Sequence, residues 1–151
     1  MKRIIIVTLL VFLVLCGKAQ TYNLYSPDEK LTAIIEINQG VRVKLLKGSE
    51  ALFTISGLSL EIANKKQELA GQRVKKIYRK SVNEQIIPTI HERSDNYKNC
   101  YNEIVVDFRS NSSLTFRLFN EGLAYRFSTS AKDSLVILKE NLNIQFLFRG
   151  G

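Results

Sequence analysis

The sequence predicts an all-β protein, an antiparallel β-sandwich, and three observations carry that expectation. Apolar residues recur with a period of two along most of the chain. Turn-forming residues interrupt those runs at short intervals. No segment holds a sustained 3.6-residue apolar repeat with caps at its ends.

The elements follow in order. Residues 1–19 read as a secretory signal peptide: Lys2 and Arg3 precede an apolar run from Ile4 to Cys16, and Gly17 and Ala19 put small residues where a peptidase cuts. Thirteen helical residues would reach about 20 Å, short of the ~30 Å hydrocarbon core, which disfavours a membrane span. Cys16 raises lipid attachment as a lesser reading, since Leu15 stands where a small residue is wanted. Export therefore implies a periplasmic protein, or a lipid-anchored one, and no membrane contact after cleavage. Removal of residues 1–19 takes Lys2, Arg3 and Lys18, leaving 19 Lys and Arg against 14 Asp and Glu, so the formal charge drops from +8 to +5.

Leu31, Ala33, Ile35 and Ile37 alternate with Thr32 and Glu36; Asn38-Gln39-Gly40 makes a turn; Val41, Val43 and Leu45 alternate with Arg42 and Lys44. The same alternation places strands at Leu58–Ile62, Ile104–Phe108 and Leu114–Leu118. Ala63 to Leu69 is the one candidate helix, short and weak, and Asp95 to Asn99 is the most loop-like stretch. Residues 65–80 hold seven Lys or Arg against one Glu. In an exported chain that reads as a solvated loop or strand face rather than a nucleic-acid surface. With one cysteine, Cys100, left after cleavage, no internal disulfide is available, so the fold rests on its core. No repeat, low-complexity tract or linker divides residues 20–151, which read as one domain.

The most ordered stretch is TFRLFNEGLAYRFS, residues 115–128. It reads as a hairpin turning at Asn120-Glu121-Gly122, with Gly122 expected at positive φ and Asn120 left-handed or capping the turn. Phe116, Leu118, Leu123, Tyr125 and Phe127 are expected in the core. Arg117 and Arg126 flank the turn. They either hold a sugar or carboxylate, or pair with strand carboxylates such as Glu103 or Asp107 and pack on Tyr125; cross-strand pairing is the more ordinary role.

Chemistry has few candidates. Glycoside hydrolysis needs two carboxylates ~5–5.5 Å or ~6.5–9.5 Å apart. Glu92, Glu103, Asp107 and Glu121 qualify by type alone, and Glu103 and Asp107 share a strand face about 13 Å apart. His91, the single histidine, has no triad partner at a recognisable spacing. No His, Cys or carboxylate cluster has metal-ligand spacing. Catalytic, cofactor and metal residues are accordingly none. Tyr78, Tyr97, Tyr101 and Tyr125 could form an aromatic platform in a free-standing carbohydrate- or partner-binding module, a reading weakened by the absence of tryptophan.

SPDEKL (26–31), YNEIVVDF (101–108) and TFRLFNEGLAYRF (115–127), in this order behind a signal peptide, resemble the N-terminal domain of glycoside hydrolase family 97, exported alpha-glucosidases and alpha-galactosidases. The likeness spans roughly residues 24–146. EQIIPTIHERS (84–94) departs from it, standing where family members commonly carry tryptophan. The resemblance implies a galactose mutarotase-like super-sandwich that supports a catalytic (β/α)8 barrel and its substrate pocket. That barrel would carry the catalytic carboxylates and most ligands of a calcium ion, and it is not among these 151 residues. On this reading the sandwich is incomplete at its C-terminus and inactive alone. Leu135, Ile137, Ile144, Phe146 and Phe148 should then be unusually exposed.

Overall fold

In the computed structural model the chain is described over residues 20–38, 40–63, 65–67, 73–87, 97–130 and 134–147. Within them lie β1 (Gln20–Tyr25), β2 (Leu31–Ile37), β3 (Val41–Lys47), β4 (Glu50–Ile62), β5 (Lys65–Gln67), β6 (Val74–Ile86), β7 (Tyr97–Phe108), β8 (Ser112–Phe119), β9 (Leu123–Thr129) and β10 (Ile137–Phe146), and no helix. Two antiparallel sheets form. One runs β1-β2-β3-β4-β10 with the short β5 also on β4; the other runs β6-β7-β8-β9. The chain builds one meander, crosses to build the second, and returns to lay β10 beside β4. This is the expected all-β sandwich.

Alternation in sequence becomes alternation in burial. Val41, Val43 and Leu45 are buried while Arg42 and Lys44 are exposed, because successive side chains of a strand point to opposite faces. Ala33, Ile35, Val43 and Ile55 from the first sheet meet Ile104, Val106, Phe108, Leu114, Phe116 and Leu118 from the second. Leu123, Tyr125 and Phe127 pack half-buried against that core, as the hairpin pattern implied. Each buried Leu, Ile or Phe contributes roughly 1.5–3 kcal/mol.

Register shifts shape the first sheet: one falls on the β3–β4 ladder between Leu45 and Leu46, and two on the β4–β10 ladder. Between Asn143↔Ser56 and Asn141↔Ser59, β4 takes three steps against two on β10. Gly57, at φ +69°, absorbs the extra residue as a bulge. A second register shift falls between Ile137 and Lys139.

The structure corrects several local expectations. Lys65–Gln67, inside the stretch given to a helix, is the strand β5, paired with Leu60–Ile62; β4 offers unpaired backbone there, and pairing outweighs a weak helical pattern. Tyr97–Asn99, given to a loop, opens β7 against Glu84–Ile86. Gly122 does not adopt the left-handed backbone, and neither do Asn120 and Glu121; Phe119 N–H donates to Gly122 O at 2.9 Å without it. The 65–80 cluster continues into β6, whose Lys75, Lys76, Arg79 and Lys80 are exposed. His91, Glu92 and Phe148, and the turn residue Gln39, lie outside the described residues. Ile137, Ile144 and Phe146 are exposed as expected, whereas Leu135 is half-buried.

Candidate functional site

The three stretches singled out in the sequence meet at one end of the sandwich. Ser26–Leu31 forms the tight connection from β1 to β2. Ser26 N–H donates to Leu31 O and Glu29 N–H to Ser26 O, both at 2.9 Å, and Glu29 takes a left-handed φ of 60° to close the turn. The buried Ser26 hydroxyl accepts from Leu31 N–H at 2.9 Å and donates to Asp28 Oδ1 at 2.7 Å. Lys30 N–H also donates to that oxygen. These bonds, the Ser26 hydroxyl foremost, hold the Asp28 carboxyl below its ordinary range.

The β8–β9 hairpin reaches back to this turn. Asn120 Oδ1 accepts from Asp28 N–H at 3.1 Å across 92 residues of sequence. The capping role expected of Asn120 is real, but the turn it caps belongs to the other sheet. From β7, Asn102 Nδ2 donates to Tyr25 O at 2.8 Å while its Oδ1 accepts from the Ser81 hydroxyl at 2.6 Å. Arg79 donates to Asn23 O at 2.8 Å. The Asn23 and Tyr25 carbonyls of β1 are thus occupied by side chains of the opposite sheet.

Alongside lies the Arg117–Glu103 pair. These residues are direct cross-strand neighbours, and Arg117 Nε donates to Glu103 Oε2 at 2.6 Å. The guanidinium sits 4.6 Å from the Tyr101 ring centroid, and Tyr101 packs on Phe119 at 5.1 Å. Glu103 pushes the pKa of Arg117 further up, fixing it as a cation. The expected pairing with Glu103 holds, and the ring beneath is Tyr101 rather than Tyr125. Tyr125 turns inward and donates to Glu140 of β10 at 2.7 Å. Burial first, and then that bond, push its pKa up to about 12.

The structure does bring Arg117 and Arg126 together: with Thr115, Ala124 and Tyr125 they line a shallow hollow of about 130 Å³. Arg117 is already committed to Glu103, which leaves Arg126 as the exposed cation. The carboxylate candidates among the described residues do not converge. Asp107 lies four residues from Glu103 on β7, opposite Lys76 and Ser113, and Glu121 is exposed at the hairpin tip. Among the described residues no three His, Cys, Asp or Glu gather to hold a metal. The four tyrosines form no platform either. Tyr101 is buried, Tyr125 faces the core, and exposed Tyr78 lies opposite Val105, eight residues along β7 from Tyr97, roughly 26 Å.

Sequence reasoning missed Asn102, Ser81 and Arg79. Their signal was faint: an Asn beside a buried Tyr, and polar residues at inward positions of an edge strand.

Known proteins match this chain along most of its length. The glycosyl-hydrolase 97 N-terminal family matches residues 24–150. A retaining alpha-galactosidase of Bacteroides thetaiotaomicron is 28% identical over 141 residues, which are 93% of this chain and 21% of that protein. Solved structures of a glycoside hydrolase family 97 enzyme from Pseudoalteromonas sp. strain K8, in complex with panose or with acarbose, superpose with a TM-score of 0.68 at 19% identity. They cover 79% of this chain and 19% of theirs. The chain thus spans about a fifth of the length of these relatives.

Proposed function

Because the chain belongs to the glycosyl-hydrolase 97 N-terminal family, we propose that it is the non-catalytic N-terminal sandwich of an exported glycoside hydrolase acting on alpha-glucosides or alpha-galactosides. Residues 1–19 direct export to the periplasm. The sandwich packs on a (β/α)8 barrel, supports its substrate pocket and leaves both catalytic carboxylates and calcium to it. The match across residues 24–150 carries this reading.

The internal commitments of the site agree with a supporting role. Glu103 is spent on Arg117, Asp28 on Ser26 and Lys30, and Asn102 on the edge of β1. Groups so engaged hold backbone in place and offer no free acid and base.

The test has two arms. Aryl alpha-glucosides and alpha-galactosides are incubated with the purified chain, with and without calcium, beside a mock purification from the same host. No release above the mock is expected, and calcium-dependent release would overturn the reading. Reading the coding DNA beyond the Gly151 codon should show barrel sequence in one of the frames; its absence in all frames would count against a supporting role.

A further inference from the structure

The end-cluster spends its polar side chains on internal bonds, and one hollow on the larger sheet does the opposite. It holds about 400 Å³ and is lined by Glu36, Asn38, Gly40, Arg42, Ser56 and Gly57. These residues belong to β2, β3, β4 and the β2–β3 turn. Each of the three strands has a neighbour on both sides, so the hollow sits within the sheet and not on an edge of it.

Alternation puts the charged groups there. Ile35 and Ile37 point to the core and leave Glu36 on the outer face, as Val41 and Val43 leave Arg42. Glu36 and Arg42 are direct cross-strand neighbours, yet no ion pair joins them. Nor do the Asn38 amide and the Ser56 hydroxyl have a protein partner among the described residues. Four polar side chains therefore face one hollow with their hydrogen-bonding capacity unspent.

The rest of the wall is bare backbone. Gly40 and Gly57, at φ +139° and +69°, hold conformations that favour glycine, and a Cβ at either would meet nothing within 4 Å. Gly57 has no partner in the ladders that β4 makes with β3 and β10. A glycine bulge of this kind lets a ligand approach the main chain closely.

The chemistry of the lining selects its occupant. Glu36 and Arg42 cancel in charge, which favours a neutral molecule. A carboxylate that accepts, a guanidinium that donates, and an amide and a hydroxyl that do both suit a ligand with hydroxyls on adjacent carbons. One such hydroxyl donates to Glu36 while its neighbour accepts from Arg42. The volume falls within the roughly 300–1,000 Å³ of small-molecule sites, and the polar wall disfavours an apolar guest. A ring holds its hydroxyls in place and loses less freedom on binding than an open chain does.

We propose that this hollow is a binding site for a neutral pyranose sugar, gripped at adjacent hydroxyls by Glu36 and Arg42 and steadied by Asn38 and Ser56. The proposal does not rest on the role in a hydrolase.

Two-dimensional amide NMR of the purified chain tests it, with methyl alpha-glucoside, methyl alpha-galactoside and the open-chain polyol sorbitol as probes. At least one glycoside should give saturable shifts at Asn38, Gly40 and Gly57 in the millimolar range, because exchanging water for sugar hydroxyls leaves a small net gain. Sorbitol should leave these amides unmoved. Glu36→Gln and Arg42→Gln should each weaken binding about tenfold, the loss of one charge-assisted bond. Circular dichroism checks that both keep the native β spectrum. If either fails to fold, the map of shifts in the unmodified protein decides alone. No saturable shift with either glycoside, equal shifts from sorbitol, shifts centred away from these amides, or binding indifferent to both substitutions would each overturn the proposal.

Discussion

Replacing Arg117 tests whether the hairpin arginine is a structural cation. Glu103 is 12% exposed and Arg117 39%, at 2.6 Å. The pair therefore lies between exposed ion pairs, worth about 0.2–1 kcal/mol, and buried ones, whose breakage costs about 3–5 kcal/mol. A coupling of about 1–2 kcal/mol follows. Arg117→Ala also forfeits the Tyr101 contact, roughly 0.5–1 kcal/mol at a partly exposed site, and the packing of its aliphatic stem. Its total cost should reach about 2–3 kcal/mol. The assay is a double-mutant cycle with Arg117→Ala, Glu103→Ala and the double variant, unfolded in urea and followed by circular dichroism. The two single costs should exceed the double by the coupling energy, with little change at high salt because the carboxylate is sheltered. Single costs that add to within about 0.3 kcal/mol would refute the reasoning. Arg117 would then be free to serve the hollow it shares with Arg126.

Three further outcomes follow from the same geometry. Asn120→Ala removes the acceptor for Asp28 N–H and should cost about 1 kcal/mol in urea unfolding. Asp28 has a lowered folded pKa, so its contribution is present above the ordinary carboxylate value and lost as pH falls through the lowered one; acid titration of Asp28→Asn should lack that component of the loss. Tyr125 has its pKa raised to about 12, so its contribution is complete below ~10 and lost as pH rises toward about 12; Tyr125→Phe should flatten this part of the alkaline unfolding curve.

Where one face is buried, the strands were legible. Leu31–Ile37 and Val41–Lys47 write their burial directly in residue order, since a one-residue slip would move every Val and Ile to water. The β6 strand was not legible. Both its faces are largely exposed, Val82 is its one buried side chain, and its lysines read equally well as a loop. The β1 strand escaped for a related reason: Leu24 is its single buried residue, and alternation needs more than one point to be seen. The hairpin was legible as an element and misread in detail. A Gly beside an Asn suggested a left-handed turn, while the amide of Asn120 was answering a backbone group 92 residues away. Partnerships of that range leave no mark in local spacing, so Asn102 and Arg79 were invisible until the sheets were stacked.

The return of β10 to β4 also orders events in time. Within each meander, strands close in sequence pair with one another, so those ladders close small loops. The Asn141–Ser59 bond bridges 82 residues, and the entropic cost of closure rises with the loop. On a ribosome both meanders are complete before β10 has been made, and β4 waits with one side bare until the chain has come back. Among the ladders between described strands, β10–β4 thus closes the largest loop and is the slowest of them to form.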